Sequence, residues 1–185
     1  LIAFVHDVVD ELLHKCQEQS KKDFFPVLQT PFSIRQDFED PSHLQYFGIR
    51  VLIMPVKAPR GHSFHLVPGT TGEVQDCTIR VGLECTCEKE QLDEDMLCFL
   101  HHPKEELSRN QPPSLLDTLC TGSYLDLAKT SHWFKKLVKS SWKALPDVKG
   151  CRLTVLPTKR LCRLQLTCTA NVTLLVEMVL AAEQG

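Results

Sequence analysis

Between Asp126 and Leu180 the hydrophobic period switches once, from helical to alternating, and that switch restricts the fold more than any other feature. Asp126 opens the longest helical pattern, with Thr130, Phe134, Leu137, Val138, Ser141 and Leu145 as its inner stripe. Lys129, Lys135, Lys136, Lys139 and Lys143 lie largely elsewhere and read as a solvated face. Pro146 ends the helix, since proline lacks the amide that the next turn needs. Arg152 to Leu156, Arg160 to Thr167 and Val172 to Leu180 then read as a meander of antiparallel strands, with Asn171 near a turn. A helix stripe and a sheet face each need a cover, so a mixed α/β fold follows: a mixed or antiparallel sheet with flanking helices.

The rest of the chain fits that class. Leu1, Phe4, Val5, Val8, Leu12 and Cys16 recur at helical spacing, which predicts a helix over 1–20. Pro26, Pro31 and Pro41 mark irregular connections, and Asp37, Glu39 and Asp40 read as a solvated acidic loop. Strands are predicted within 46–87: Tyr46 to Met54 and His62 to Val67 as a buried hairpin around Pro59-Arg60-Gly61, then Thr78 to Cys87 as a half-covered strand. In that last strand Ile79, Val81, Leu83, Cys85 and Cys87 share the buried face. Helices fill 92–145. Leu92, Met96 and Leu100 start one that Pro103 stops, and a short one runs from Ser114, its N-cap, to Cys120, with Asp117 at the third helical position and Gly122 as terminator. The strands of 151–180 complete what reads as a single incomplete domain over 1–185, whose two ends look like cuts in a longer protein.

With 21 Lys plus Arg against 23 Asp plus Glu, the formal charge of −2 provides no field for a polyanion, so nucleic acid is not an expected partner. No run of 18 apolar residues occurs, because Glu177 interrupts the best one, so neither a membrane span nor a signal peptide is expected within this stretch. Nine cysteines are an odd count, so at least one thiol stays free or pairs outside the chain. Cys77, Cys85, Cys87 and Cys162 read as small buried hydrophobes.

Long irregular word strings carry a resemblance. They are Lys57-Ala-Pro-Arg-Gly-His-Ser-Phe-His65, Glu84-Cys-Thr-Cys-Glu-Lys-Glu-Gln-Leu, Met96-Leu-Cys-Phe-Leu-His-His-Pro103, and Ser114-Leu-Leu-Asp-Thr-Leu-Cys-Thr-Gly-Ser-Tyr-Leu-Asp126, with Trp133-Phe134 following. From about Ile49 to Gly185 the chain resembles the inositol-trisphosphate-receptor-interacting-protein-like family. That resemblance implies a partial nucleotidyltransferase-like domain of the Mab type, the branch that also includes cyclic GMP-AMP synthase. It also implies anchoring through a single membrane span outside this stretch, hence a membrane location.

A nucleotidyltransferase holds its triphosphate on a Gly-Ser turn and binds two Mg²⁺ ions with carboxylates on adjacent strands. The corresponding stretch, Leu28-Gln-Thr-Pro-Phe-Ser-Ile-Arg-Gln-Asp-Phe-Glu-Asp40, has no Gly-Ser pair, and Ile49-Arg-Val-Leu-Ile-Met54 carries a cation and no carboxylate. No catalytic residue, cofactor-binding residue or cofactor is therefore expected, and the chain reads as a non-catalytic module that binds a protein of unknown identity. The alternative is a metal-dependent nucleotidyltransferase, for which Asp37, Glu39, Asp40, Glu84 or Glu177 would have to serve as ligands.

A second alternative is a zinc-stabilised structural domain. Cys85, Cys87, Cys98, His101 and His102 offer Cys-x-Cys and Cys-x-x-His spacings, and each pair converges if its segment is a strand or a helix. Core thiols with a helix-terminal histidine are the reading preferred over zinc, because the alternating pattern buries the same cysteines. His62 and His65, three apart on a strand, point to opposite faces. Asn171-Val172-Thr173 is a glycosylation sequon that signifies only outside the cytosol, and the cysteine richness, their odd number and the resemblance favour that external side.

Overall fold

The computed structural model describes residues 2–42, 45–68, 78–90, 96–146, 150–159, 161–168 and 172–185. Along the chain run α1 (Ile2–Gln19), β1 (Val27–Leu28), β2 (Phe32–Ser42), β3 (Gln45–Lys57), β4 (His62–Val67), β5 (Thr78–Leu83), α2 (Cys87–Glu90), α3 (Lys104–Asn110), α4 (Leu115–Thr118), β6 (Cys120–Thr121), β7 (Tyr124–Leu125), α5 (Leu127–Ala144), β8 (Cys151–Leu156), β9 (Cys162–Cys168) and β10 (Val172–Ala182). The architecture is mixed α/β, as the period switch requires. The chain divides into two compact units.

The first unit comprises Leu1–Ser20, Leu28–Pro55 and Ser131–Ala181. Its sheet has the order β1-β3-β10-β9-β8, with β2 also paired to β3. The three C-terminal strands form the antiparallel meander read from the sequence, in registers that set Val172 opposite Cys168 and Cys151 opposite the same Cys168. Leu164, Leu166, Leu174, Val176 and Met178 are buried at alternate positions, and Val5, Val8, Leu12, Leu13 and Cys16 are the buried stripe of α1. Phe134, Val138 and Ser141 are likewise buried on α5, but Phe4, placed on the inner stripe from spacing alone, is 49% exposed. Glu177, isolated in an apolar strand, faces Arg163 across the ladder at 2.8 Å.

The second unit comprises Lys21–Val27, Val56–Thr130 and Ala182–Gly185, with a sheet of order β4-β5-β7-β6. The chain's last residues close onto it: Glu183 N–H donates to Val56 O at 2.8 Å, and Gly185 and Phe64 exchange backbone bonds of 3.2 and 3.4 Å. Phe64, Val81, Met96, Cys98, Leu115 and Leu119 are among its buried side chains. Two of its strands have only two residues each, which leaves little ladder to hold it.

Several elements depart from the sequence reading. The hairpin expected from Tyr46–Met54 and His62–Val67 does not form: β3 pairs with β2 and β10, whereas β4 pairs with β5. Alternation identifies a strand but says nothing of its partner. The acidic stretch expected as a loop before Pro41 lies within β2, where Asp37 faces Ile49 and Glu39 faces Phe47 of β3. The strand expected to run to Cys87 stops at Leu83, whose partner His62 is the first residue of β4, so the ladder has nothing further to pair with. Cys85 is consequently exposed rather than buried, and Cys87 begins the single turn α2.

No helix covers Met96 to His102, and Leu100 is half exposed. Pro103, expected to stop a helix, is instead the N-cap of α3, where a missing amide costs nothing. Ser114 caps α4 as read, its Oγ accepting from Leu116 N–H at 3.1 Å, but the helix ends at Thr118. Gly122, at φ +64°, serves the tight β6–β7 turn and not a helix end. Cys162 is buried as expected, and burial pushes its thiol up to about 12. Cys77 and Asn171 lie outside the described residues.

Candidate functional site

On β3, the strand that the resemblance would require to carry carboxylates, the first unit has a cation. Arg50 projects from β3 with a side chain only 14% exposed, and its Nη1 donates to Asp10 of α1 at 3.0 Å. Its Nε donates to Ser33 Oγ at 3.1 Å, and Nη1 also lies 3.4 Å from His6 Nδ1. Burial and the Arg50 charge hold the His6 imidazole below its ordinary value. Asp37, one of the acids weighed as a metal ligand, is exposed and paired with Arg35 on its own strand.

The second unit holds the other constellation. Cys85 lies just beyond β5, Cys87 opens α2, and Cys98 and His101 flank a turn, so one atom from each of four side chains meets within 4.8 Å. His101 Nδ1 is the shared neighbour, at 3.4 Å from Cys85 Sγ, 3.1 Å from Cys87 Sγ and 3.4 Å from Cys98 Sγ. The backbone is arranged around the innermost sulfur, where Thr86 N–H donates to Cys98 Sγ at 3.4 Å. Although burial opposes the charged form, bonds from the Thr86 and Leu100 amides and from His101 bring the Cys98 thiol down to about 6. Neighbouring Cys85 pushes the Cys87 thiol the other way, up to about 12. Two of the donors were expected in a buried strand face and reach the cluster because the strand ends early. His102 turns aside, with Nδ1 3.2 Å from Glu106.

A clasp from α3 fixes the segment that bears Cys98. Gln111 Oε1 accepts from Leu97 N–H at 2.8 Å while its Nε2 donates to Leu97 O at 3.2 Å. Beneath lies His62, which sequence spacing set aside as a ligand and which is 5% exposed. Its Nδ1–H donates to Arg60 O at 2.8 Å, so Nε2 accepts from the Ser114 hydroxyl at 2.6 Å. Phe99 packs edge-on against both Phe24 and His62, with centroids 4.7 and 5.2 Å away. Phe99 and Ser114 also line a cavity of about 370 Å³ beside α3. The Ser114 cap was legible in the sequence, but its histidine, 52 residues away in the chain, was not.

Burial holds His62 below the ordinary imidazole value, so it folds neutral. As pH falls through about 6.5 the unfolded chain takes up this proton first, and stability is lost progressively down to the lower folded value. His62→Gln is expected to flatten that part of the pH dependence, as measured by urea melts between about pH 7.5 and 5.5. An unchanged slope would mean that other groups set it.

These features define a mixed α/β chain with a thiol-rich cluster and an arginine on β3 held by Asp10 and Ser33. No family model matches it. It is 29% identical over 184 residues to inositol 1,4,5-trisphosphate receptor-interacting protein-like 1 of Rattus norvegicus, and 28% identical over 183 residues to the protein of the same name from Mus musculus. Each alignment covers 98% of this chain and 34% of the relative, so the chain spans about a third of the length of the curated relatives it matches. The family resemblance read from the word strings is thereby borne out, and it extends over almost the whole chain rather than beginning near Ile49.

Proposed function

We propose that this stretch is a non-catalytic protein-interaction module with a nucleotidyltransferase-like fold of the Mab type, carried by a membrane-anchored protein. The observation that carries the reading is Arg50, a largely buried guanidinium engaged by Asp10 and Ser33 on the strand that would need carboxylates. A cation fixed there repels Mg²⁺ and removes the charge that two-metal chemistry depends on. The relatives supply the interaction half of the proposal, since both are named for a protein contact, that with the inositol 1,4,5-trisphosphate receptor. None of the helices among the described residues is long and apolar enough to cross a membrane, so the proposed anchor belongs to another part of the protein. The pairing of Cys151 with Cys168 supports placing the module on the external, oxidising side.

The test uses the purified chain with ATP or GTP and Mg²⁺. The melting temperature is expected to move by less than about 1 °C, because a ligand that does not bind the native state cannot stabilise it. Nucleotide turnover that disappears in the combined Asp37→Asn, Glu39→Gln and Asp40→Asn variant would overturn the reading in favour of an enzyme. In parallel, surface-immobilised chain is exposed to the receptor named in the relatives' names. Saturable binding supports that partner, and its absence removes the receptor from the proposal.

A further inference from the structure

We infer that Cys85, Cys87, Cys98 and His101 bind one Zn²⁺ ion, tetrahedrally, through three Sγ atoms and the Nδ1 of His101. The protein-only account of the cluster fails on valence. An imidazole Nδ1 without a proton has one in-plane lone pair and accepts one hydrogen bond, yet three sulfurs lie at 3.1–3.4 Å from it. Burying them as core thiols fails as well, because Cys85 is exposed and Cys87 half-exposed.

A cation at the centre satisfies all four at once. With Zn–S near 2.3 Å and Zn–N near 2.0–2.1 Å, tetrahedral geometry separates sulfur from nitrogen by about 3.6 Å and sulfur from sulfur by about 3.8 Å. The observed 3.1–3.4 Å contacts and the 4.8 Å outer limit of the group bracket those values, so small side-chain adjustments complete the shell. Three thiolates and one imidazole are soft and borderline donors, which select zinc over Mg²⁺ or Ca²⁺. Four protein ligands leave no open position, which makes the site structural and not catalytic.

The ion also has a mechanical role to fill. The second unit has a small core and a four-stranded sheet that includes two two-residue strands, and units of that kind depend on staples. Zinc would join the chain leaving β5 to the turn before α3. It would thereby seat Phe99, which lies between Cys98 and His101, against Phe24 and His62.

The experiment is elemental analysis of the whole purified chain, with Co²⁺ exchange as the second measurement. About one zinc per chain is expected, with a thiolate-to-cobalt charge-transfer band on exchange, and chelation should lower the melting temperature by about 10 °C. His101→Cys should retain the metal. His101→Ala and Cys98→Ser should weaken it by more than the ~10–100-fold that loss of an outer-shell partner costs. Folded parent protein without zinc, in which Cys85, Cys87 and Cys98 alkylate freely or pair as a disulfide, would overturn the assignment. So would undiminished metal content in both His101→Ala and Cys98→Ser. Because the first readout is on the parent, a variant that fails to fold leaves the proposal decided by stoichiometry and cobalt spectrum.

Discussion

Phe134→Ala is expected to destabilise the protein by about 3–5 kcal/mol. The side chain is fully buried on α5, one residue from Trp133, whose ring centroid is 6.3 Å away at a tilt of 56°. Adjacent helix positions point about 100° apart, so only one of the two rings can fill the core, and burial assigns that place to Phe134. Its removal forfeits the transfer free energy of a whole ring and leaves a cavity in the core. Chemical denaturation of the parent and variant at one pH measures the effect. A loss under about 1 kcal/mol would mean that the neighbouring elements collapse onto the space. Trp133→Ala, at a partly exposed position, should cost distinctly less.

Replacing Cys151 and Cys168 together by alanine should cost about 3 kcal/mol. The two cysteines are directly opposite in the β8–β9 ladder and form a disulfide across a sequence separation of 17. The covalent link removes closure entropy from the unfolded chain, and a loop of that size lies in the range where the gain is about 3 kcal/mol. Residues 152–156 pair with 163–167, so the ladder itself sets the two cysteines opposite one another. Treating the parent with a reductant should reproduce the loss seen in the double variant, and the reductant should leave that variant unchanged. Equal stability of parent and double variant would show that the ladder alone closes this hairpin.

These expectations rest unequally on sequence and tertiary structure. The stripe of α5, the Ser114 cap, the three-strand meander and the burial of Cys162 were legible because each depends on local periodicity or on a cap within a few residues. Phe4 was misplaced because spacing gives a face to every helical residue, including those near an end where no neighbour covers it. The acids at 37 to 40 read as a loop from their polarity, yet pairing with β3 makes them part of a strand. Polarity records exposure and not backbone conformation.

The thiol cluster shows the same division. Its four residues could be named from their spacing, but the alternation running through Cys85 and Cys87 argued for buried thiols. The early end of β5, set by the start of its partner β4, releases both cysteines from that face.

By itself, then, the sequence determined the α/β class, the main helices and strands, the resemblance to receptor-interacting-protein-like chains, and a strand that carries Arg50 and no carboxylate. Tertiary structure alone decided which strands pair, which cysteines join as a disulfide, that Asp10 and Ser33 hold Arg50, and that four donors meet at His101. The physical reason is range. Periodicity and capping are fixed by groups within about a turn of one another, whereas pairing and convergence are fixed by loop closure and burial between residues distant in the chain.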